Sequence, residues 1–402
     1  MRFKKALTCV AALSTALAVQ PAVAAAEDVT VGVLVPLTGE LGEFGKIVAD
    51  AVQLGVDEIN AAGGTKCGPL RTVVADTGGS AEQAIREATK MIDSEGAVAI
   101  LGPASGEMVA LVDLAKRKMT PMMSPYAGTI TLNEIGGDYV YRTVSSDLGD
   151  GAASGLWLTD KGYKTVAFLV QNEESTISPA QIAKQAVEAA GIELTDFIIY
   201  NPGQPSYQAE LISVLSHNPD AIYLAGGQES GVTVLKEAAA GGFEGEWLLT
   251  ADLAVPEVFE ALDPRILNDR AYVEIAEADS TLPEFKAFSE LTQAKLGGAP
   301  GPFAANSYDM AMLTGISLEA AEACTGEGLN AVLRDVTEGG DKVTTFAEAK
   351  AAIAEGKDID YEGASGPLTM DESGTPAGAY MIKKATDGAW ADETFYPASA
   401  FE

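Results

Sequence analysis

Few side chains in this chain have a type and spacing that could make or break a bond. Two glycine-flanked serines, in Gly102-Pro103-Ala104-Ser105-Gly106 and Gly363-Ala364-Ser365-Gly366, both miss the Gly-x-Ser-x-Gly spacing of a nucleophile elbow. His217, the single histidine, sits in the polar turn Ser216-His217-Asn218-Pro219-Asp220 with no nucleophile motif beside it. No Cys-x-x-Cys occurs, so no metal and no cofactor is expected. With 58 Asp+Glu in the chain, an acid pair picked from sequence carries no weight. A secreted hydrolase would need a coherent nucleophile and base, and neither is present. What remains is binding chemistry. Ser105 and Gly106 lie between a strand and the start of a helix, where unpaired N–H groups and the helix dipole favour an anion. Ser105 adds a hydroxyl, which could instead cap its own helix; the two roles are compatible. Asp252 follows the strand Trp247 to Thr250, as an acceptor for a cation or as an N-cap for a helix near Pro256.

Such residues need a scaffold that gathers strand ends. The strand from Val29 to Val35 is almost continuously apolar and β-branched, as suits a strand buried on both faces of a parallel sheet. The turn from Leu37 to Gly45 follows, then a helix carrying Val48, Val52, Val56 and Ile59 on one face and ending at Gly63-Gly64. The turn is not a phosphate loop: Gly45-Lys46 is followed by Ile47, and no Gly-x-Gly-x-x-Gly follows the strand. Strand–helix alternation continues with strands Leu70 to Asp76, Val98 to Pro103, Pro121 to Ser124 and Tyr139 to Arg142. A second series starts near Ser145, with strands Thr165 to Val170, Ile192 to Tyr200, Ala221 to Ala225 and Trp247 to Thr250. The loop Gln171 to Ser178 reads as irregular, with its helix starting at Ile182. The last third reads as mainly helical, closed by strands Gly366 to Met370 and Ala379 to Ile382. Two parallel sheets in one chain predict an α/β protein of two lobes facing across a cleft, with small-molecule chemistry at the strand C-termini.

The ends and the composition bound the setting. Basic residues at Arg2, Lys4 and Lys5, the apolar run Ala6 to Val19 and the small residues up to Ala26 predict a signal peptide over residues 1–26, cleaved near Ala24 to Ala26; a retained anchor is the alternative. Cys9 comes too early for a lipoprotein cleavage site. Without that segment, 23 basic residues face 58 acidic ones, a net charge of −35. Such a chain is not expected to bind nucleic acid, which demands clustered Lys and Arg. The acidity reads more simply as a solvated surface than as a lure for cations. In an oxidising compartment Cys67 and Cys324 are more readily joined in a disulfide than left as two buried thiols.

Several short motifs recur in an order that carries a resemblance. They are Pro36-Leu37-Thr38-Gly39, Asp57-Glu58-Ile59-Asn60-Ala61-Ala62-Gly63-Gly64, Ala75-Asp76-Thr77, Gly102-Pro103-Ala104-Ser105, Ser124-Pro125-Tyr126-Ala127, Tyr141-Arg142-Thr143 and Tyr361-Glu362-Gly363-Ala364-Ser365-Gly366-Pro367. Together, over nearly the whole chain, they resemble the periplasmic substrate-binding proteins of branched-chain amino acid ABC transporters. The resemblance implies an α/β fold of two Rossmann-like lobes with parallel sheets, joined by three hinge crossings near Ser146, Ala276 and Ala377: the type I periplasmic binding protein. It divides the chain into lobe 1 (27–147 and 276–376) and lobe 2 (148–275 and 377–402). It implies a periplasmic, non-enzymatic monomer that hands a small amino acid to a membrane permease.

An amino acid in a closed cleft needs N–H and O–H donors for its carboxylate and acceptors for its ammonium. By the resemblance, Ser105 and the Gly106 N–H face the carboxylate, joined by the Thr129 hydroxyl, while the Ala127 carbonyl and Asp252 face the ammonium. Related chains often carry two serines where this one has Ser105-Gly106, so one hydroxyl is missing. Tyr126 replaces a commonly small residue, as pocket wall or as core. Relatives commonly have Tyr-Gly near Thr176-Ile177; its loss puts leucine-type specificity in question and leaves Thr176 as a donor, with Gln228 as a further candidate. A short amide, urea or another small polar metabolite is the alternative ligand, and a ligand-sensing receptor the alternative partner.

Overall fold

The computed structural model describes residues 27–401, so the expected leader lies outside the described residues. Val29–Val35 is a strand buried along its whole length. It anchors a five-stranded sheet in the order Leu70–Asp76, Val29–Val35, Ile100–Leu101, Met122–Ser124, Val140–Arg142. Every neighbouring pair is parallel. The helix Gly42–Ala61 buries Val48, Val52, Val56 and Ile59, as its spacing requires. It packs on the helix Ala304–Ala320 so closely that a Cβ on Gly55 would stand 2.7 Å from that of Ala311.

The second sheet repeats the winding. Glu193–Tyr200, Thr165–Gln171, Ala221–Ala225, Glu246–Leu249 and Ala271–Ala276 are parallel in that order. Antiparallel strands Tyr380–Thr386 and Ala389–Tyr396 extend it. In each sheet the first strand of the series lies between the second and third, so the winding reverses there and a crevice opens at the strand C-termini. The structure thus has the two-lobed α/β architecture expected.

Several local expectations are corrected. Ala271–Ala276, Asp341–Val343, Ile359–Gly363 and Ala389–Tyr396 are strands where the sequence reading had none. Glu174–Ala189 is helix through most of the segment read as an irregular loop, with Pro179 inside it. Pro179 sits in the second turn, where its missing N–H forfeits only one backbone hydrogen bond.

The chain passes between the sheets three times: after Val140–Arg142, after Ala271–Ala276 and before Tyr380–Thr386. At these passages Ser145, Ala276–Ala278 and Pro376–Ala379 share one small cavity. Two devices brace the first lobe, a disulfide near the surface and a buried carboxylate. A disulfide joins Cys67 to Cys324 across 257 residues, with the Cα atoms 5.6 Å apart. The Asp309 carboxylate accepts from the Tyr361 hydroxyl, the Ala364 N–H and the Ser365 N–H and hydroxyl, at 2.9, 2.9, 2.7 and 2.5 Å. It thereby shapes the motif Tyr361 to Pro367, and a Cβ on Gly363 would collide with it.

Candidate functional site

Between the C-terminal edges of the two sheets lies a cavity of about 340 Å³. Its first-lobe wall comes from Thr38–Leu41, Gly78–Gly79 and Ala104–Glu107, and its second-lobe wall from Gln171, Glu173–Thr176, Pro202–Gly203, Gly227, Glu229 and Asp252. A larger cavity of about 570 Å³ lies beside the end of Ala271–Ala276, against Phe303 and Trp390. Its one cation, the Lys383 amine, is already held by Glu277 at 2.6 Å and Asp392 at 3.2 Å. The smaller cavity has the convergent polar groups and the topological position of a solute site.

Ser105 opens the helix Ser105–Lys118, whose N-cap is Ala104. Its hydroxyl therefore does not cap the helix. It is 1% exposed and has no hydrogen-bond partner, although it borders the cavity. Gly106 also lines the cavity; a Cβ there would meet Glu174 Cβ at 3.8 Å, an ordinary contact. Two residues on, Glu107 reaches back to accept the Ala104 N–H at 2.9 Å. Burial raises its carboxyl above the ordinary range, and the Thr77 hydroxyl and Ala104 N–H offset only part of that.

Asp252 lies in the short 3₁₀ turn Ala251–Leu253. The next helix, Glu257–Ala261, takes Pro256 as its N-cap, so Asp252 is no cap either. Asp252 lines the cavity, with only a long 3.5 Å contact from the Thr250 hydroxyl. Burial, with a contribution from Asp150, lifts its carboxyl to about 7.

The other expected residues are placed differently. The Thr129 hydroxyl donates to Glu174 Oε1 at 2.5 Å, across the cleft. The Ala127 carbonyl receives Arg142 Nη1 at 3.4 Å, and the same guanidinium group holds the carbonyls of Gly128 and Thr129 at 2.9 and 3.1 Å. Tyr126 donates to the Gly102 carbonyl at 2.8 Å and packs with Phe44 and Phe303. The Thr176 hydroxyl borders the cavity but donates inward, to the Gln171 carbonyl at 2.7 Å. Gln228 faces a separate, more open depression beside Lys46. The cavity therefore brings together Ser105, Gly106, Thr176 and Asp252; Tyr126, Ala127, Thr129 and Gln228 do not line it. His217 bonds Asp196 at 2.8 Å in its exposed turn, away from the cleft lining.

Glu40, Glu107, Glu174, Gln171 and Arg142 were not singled out from sequence. Glu40 Oε2 crosses to the start of the helix Gln228–Ala240 and accepts from the Glu229 and Ser230 N–H groups at 3.0 and 3.1 Å. A carboxylate at a helix N-terminus is favourably placed. Gly227 is required there, since a Cβ would stand 2.6 Å from Glu40 Oε2. Gln171 Oε1 holds the Gly227 N–H at 2.8 Å and the Ser230 hydroxyl at 2.7 Å. The Ile130 N–H donates to Ser178 at 3.1 Å, a further bond between the lobes. Only a buried arginine such as Arg142, flanked by the motif residues Tyr141 and Thr143, carried a signal that could have found it.

Among the described residues, no helix is long and apolar enough to cross a membrane, and no group of three or more His, Cys, Asp or Glu could hold a metal ion.

The family described as periplasmic binding protein matches residues 28–389. The chain is 26% identical over 375 residues to the chemotactic signal transduction system substrate-binding protein BasB of Halobacterium salinarum, covering 90% of this chain and 88% of that one. It is 21% identical to the leucine-, isoleucine-, valine-, threonine-, and alanine-binding protein of Pseudomonas aeruginosa, over 77% of this chain and 83% of that one. The structure of a leucine binding protein, LivK, from Thermotoga maritima superposes with a TM-score of 0.80 at 22% identity, covering 92% and 99% of the two chains. A solute-binding protein from R. palustris in complex with benzoate superposes with a TM-score of 0.76 at 19% identity, covering 92% and 97%. These two likenesses show a common fold.

Proposed function

The chain belongs to the periplasmic binding protein family, and from that premise we propose that its cleft captures a small amino acid and presents it to an ABC permease. The family and fold are those of non-enzymatic solute-binding proteins of branched-chain amino acid transporters. Capture is a binding event in which no bond is made or broken. The single observation that carries the reading is the pairing, across one cavity, of the unpartnered Ser105 hydroxyl on one lobe with the Asp252 carboxylate on the other. Ser105, the Gly106 N–H and the helix N-terminus suit the ligand carboxylate; Asp252 suits its ammonium. We place the hinges at the three passages near Ser146, Ala276 and Ala377, dividing lobe 1 (27–147 and 276–376) from lobe 2 (148–275 and 377–402). Closure about them traps the solute, and the closed form is the shape a permease reads.

A second reading, a neutral amide or urea, draws on the Thr129 hydroxyl, which Glu174 already occupies and so removes as a donor to an anionic ligand group. One experiment separates the two. In calorimetric titration of the twenty amino acids and a set of short amides, at least one amino acid binds, and Asp252→Asn weakens it by about 100-fold, the loss of a charge-assisted bond of ~3 kcal/mol. A ligand indifferent to Asp252→Asn would favour the neutral solute.

A further inference from the structure

Six carboxylates line the cleft, from Glu40, Glu107, Glu173, Glu174, Glu229 and Asp252, and no Lys, Arg or His lines it. Two of them serve the lobes themselves: Glu40 binds the helix start at Glu229 and Ser230, and Glu174 binds Thr129 and Thr131. Glu107 is different. It is 2% exposed, its Oε2 is engaged by the Ala104 N–H, and its Oε1 accepts no hydrogen bond. On the same helical turn the Ser105 hydroxyl is 1% exposed and equally unpartnered. An orphaned buried polar group costs roughly 1–3 kcal/mol, and two on one turn beside a cavity are groups a ligand would satisfy. A zwitterion would bring one positive charge and one negative, leaving the surplus of acids uncompensated. The charge of Glu173 acts on Glu107, and that of Glu40 on Glu173, so these groups share one electrostatic environment.

We propose that the ligand is a net-cationic amino acid, whose α-ammonium group meets Asp252 and whose side-chain ammonium or guanidinium group meets Glu107 and Glu173. This rests on the reading of the cleft as an amino-acid site and names the class of amino acid. The Ser105 hydroxyl then serves the ligand carboxylate as the available donor, since Thr129 is engaged elsewhere. A guanidinium group matches a carboxylate as a planar fork, and an ammonium group as a point charge.

The test is calorimetric titration of the mature chain with L-arginine, L-lysine and L-leucine at pH 8 and low salt. L-Arginine or L-lysine binds at least ~10-fold more tightly than L-leucine, and the preference narrows as salt rises. Glu107→Gln, which keeps an acceptor for the Ala104 N–H, lowers affinity for the preferred cation by ~10-fold or more. Should that variant not fold, Glu173→Gln with the same salt series supplies the measurement. L-Leucine binding as tightly as both cations, or a cation preference unmoved by the carboxamide variants, would overturn the inference and leave amino-acid capture standing. Failure of all twenty amino acids to bind would instead overturn the functional reading itself.

Discussion

At the residue scale, the cavity is bordered by buried groups that the protein itself leaves poorly satisfied. Asp252 has its carboxyl raised to about 7 by burial, against an ordinary value of ~4. The folded protein therefore holds a proton there that the unfolded chain has released between pH ~4 and about 7. More protons bound in the folded state mean that stability falls as pH rises through this window. We expect the ligand-free protein to melt lower at pH 8 than its Asp252→Asn variant by a few degrees, and the two to converge near pH 4. Thermal unfolding followed by circular dichroism against pH checks this; a variant less stable at pH 8 would contradict it. Ligand affinity runs the other way, rising with pH as Asp252 ionises. Ser105 was legible in the sequence because it stands between a strand and a helix start, and Asp252 through the resemblance. Glu107, Glu173 and Glu174 were not, because in a chain with 58 acids no single carboxylate stands out until the fold shows which are buried together.

At the scale of elements, four helices begin before their apolar periodicity does. The apolar stripes start at Met108, Ala152, Ile182 and Val232; the structure starts the helices at Ser105, Asp147, Glu174 and Gln228. The physical reason is common to all four. Their first turns carry Ser, Gly, Asp, Glu and Gln, and pattern reading sees only the apolar stripe that packs on the sheet. Of these first turns, those at Ser105 and Glu174 border the cavity, and that at Gln228 supplies N–H groups to Glu40. The motif Tyr361 to Pro367, read as a mark of the resemblance, proves to be the loop clasped by Asp309. Burial raises the Asp309 carboxyl despite its four donors. Replacing it by alanine strands those donors in the core. Asp309→Ala should lower unfolding stability by ~3 kcal/mol or more, read from the midpoint of a urea titration, with little effect on ligand affinity. A change below ~1 kcal/mol would mean that the loop holds its shape without it.

At the scale of the whole molecule, two sheets wound in the same order meet edge to edge, and the passages of chain between them lie side by side. The alternation of strand and helix made the two lobes legible. It did not reveal that Ala271–Ala276, Tyr380–Thr386 and Ala389–Tyr396 complete the second sheet. The last two come after the regular alternation has stopped, and their order depends on long-range pairing that no local pattern records. The lobes touch through Glu40 at one rim and Glu174 and Ser178 at another, with the cavity between. Two of these three contacts use carboxylates that also line the cavity, which a bound cation would have to share. The most direct measurement of the central claim is a crystal structure of the protein with its tightest-binding solute. The account predicts a positively charged nitrogen within ~3 Å of Asp252 and an anionic oxygen on Ser105, both lobes in contact with one molecule. A solute bound outside the gap between the sheets, or lying there with no cation against Asp252, would contradict it.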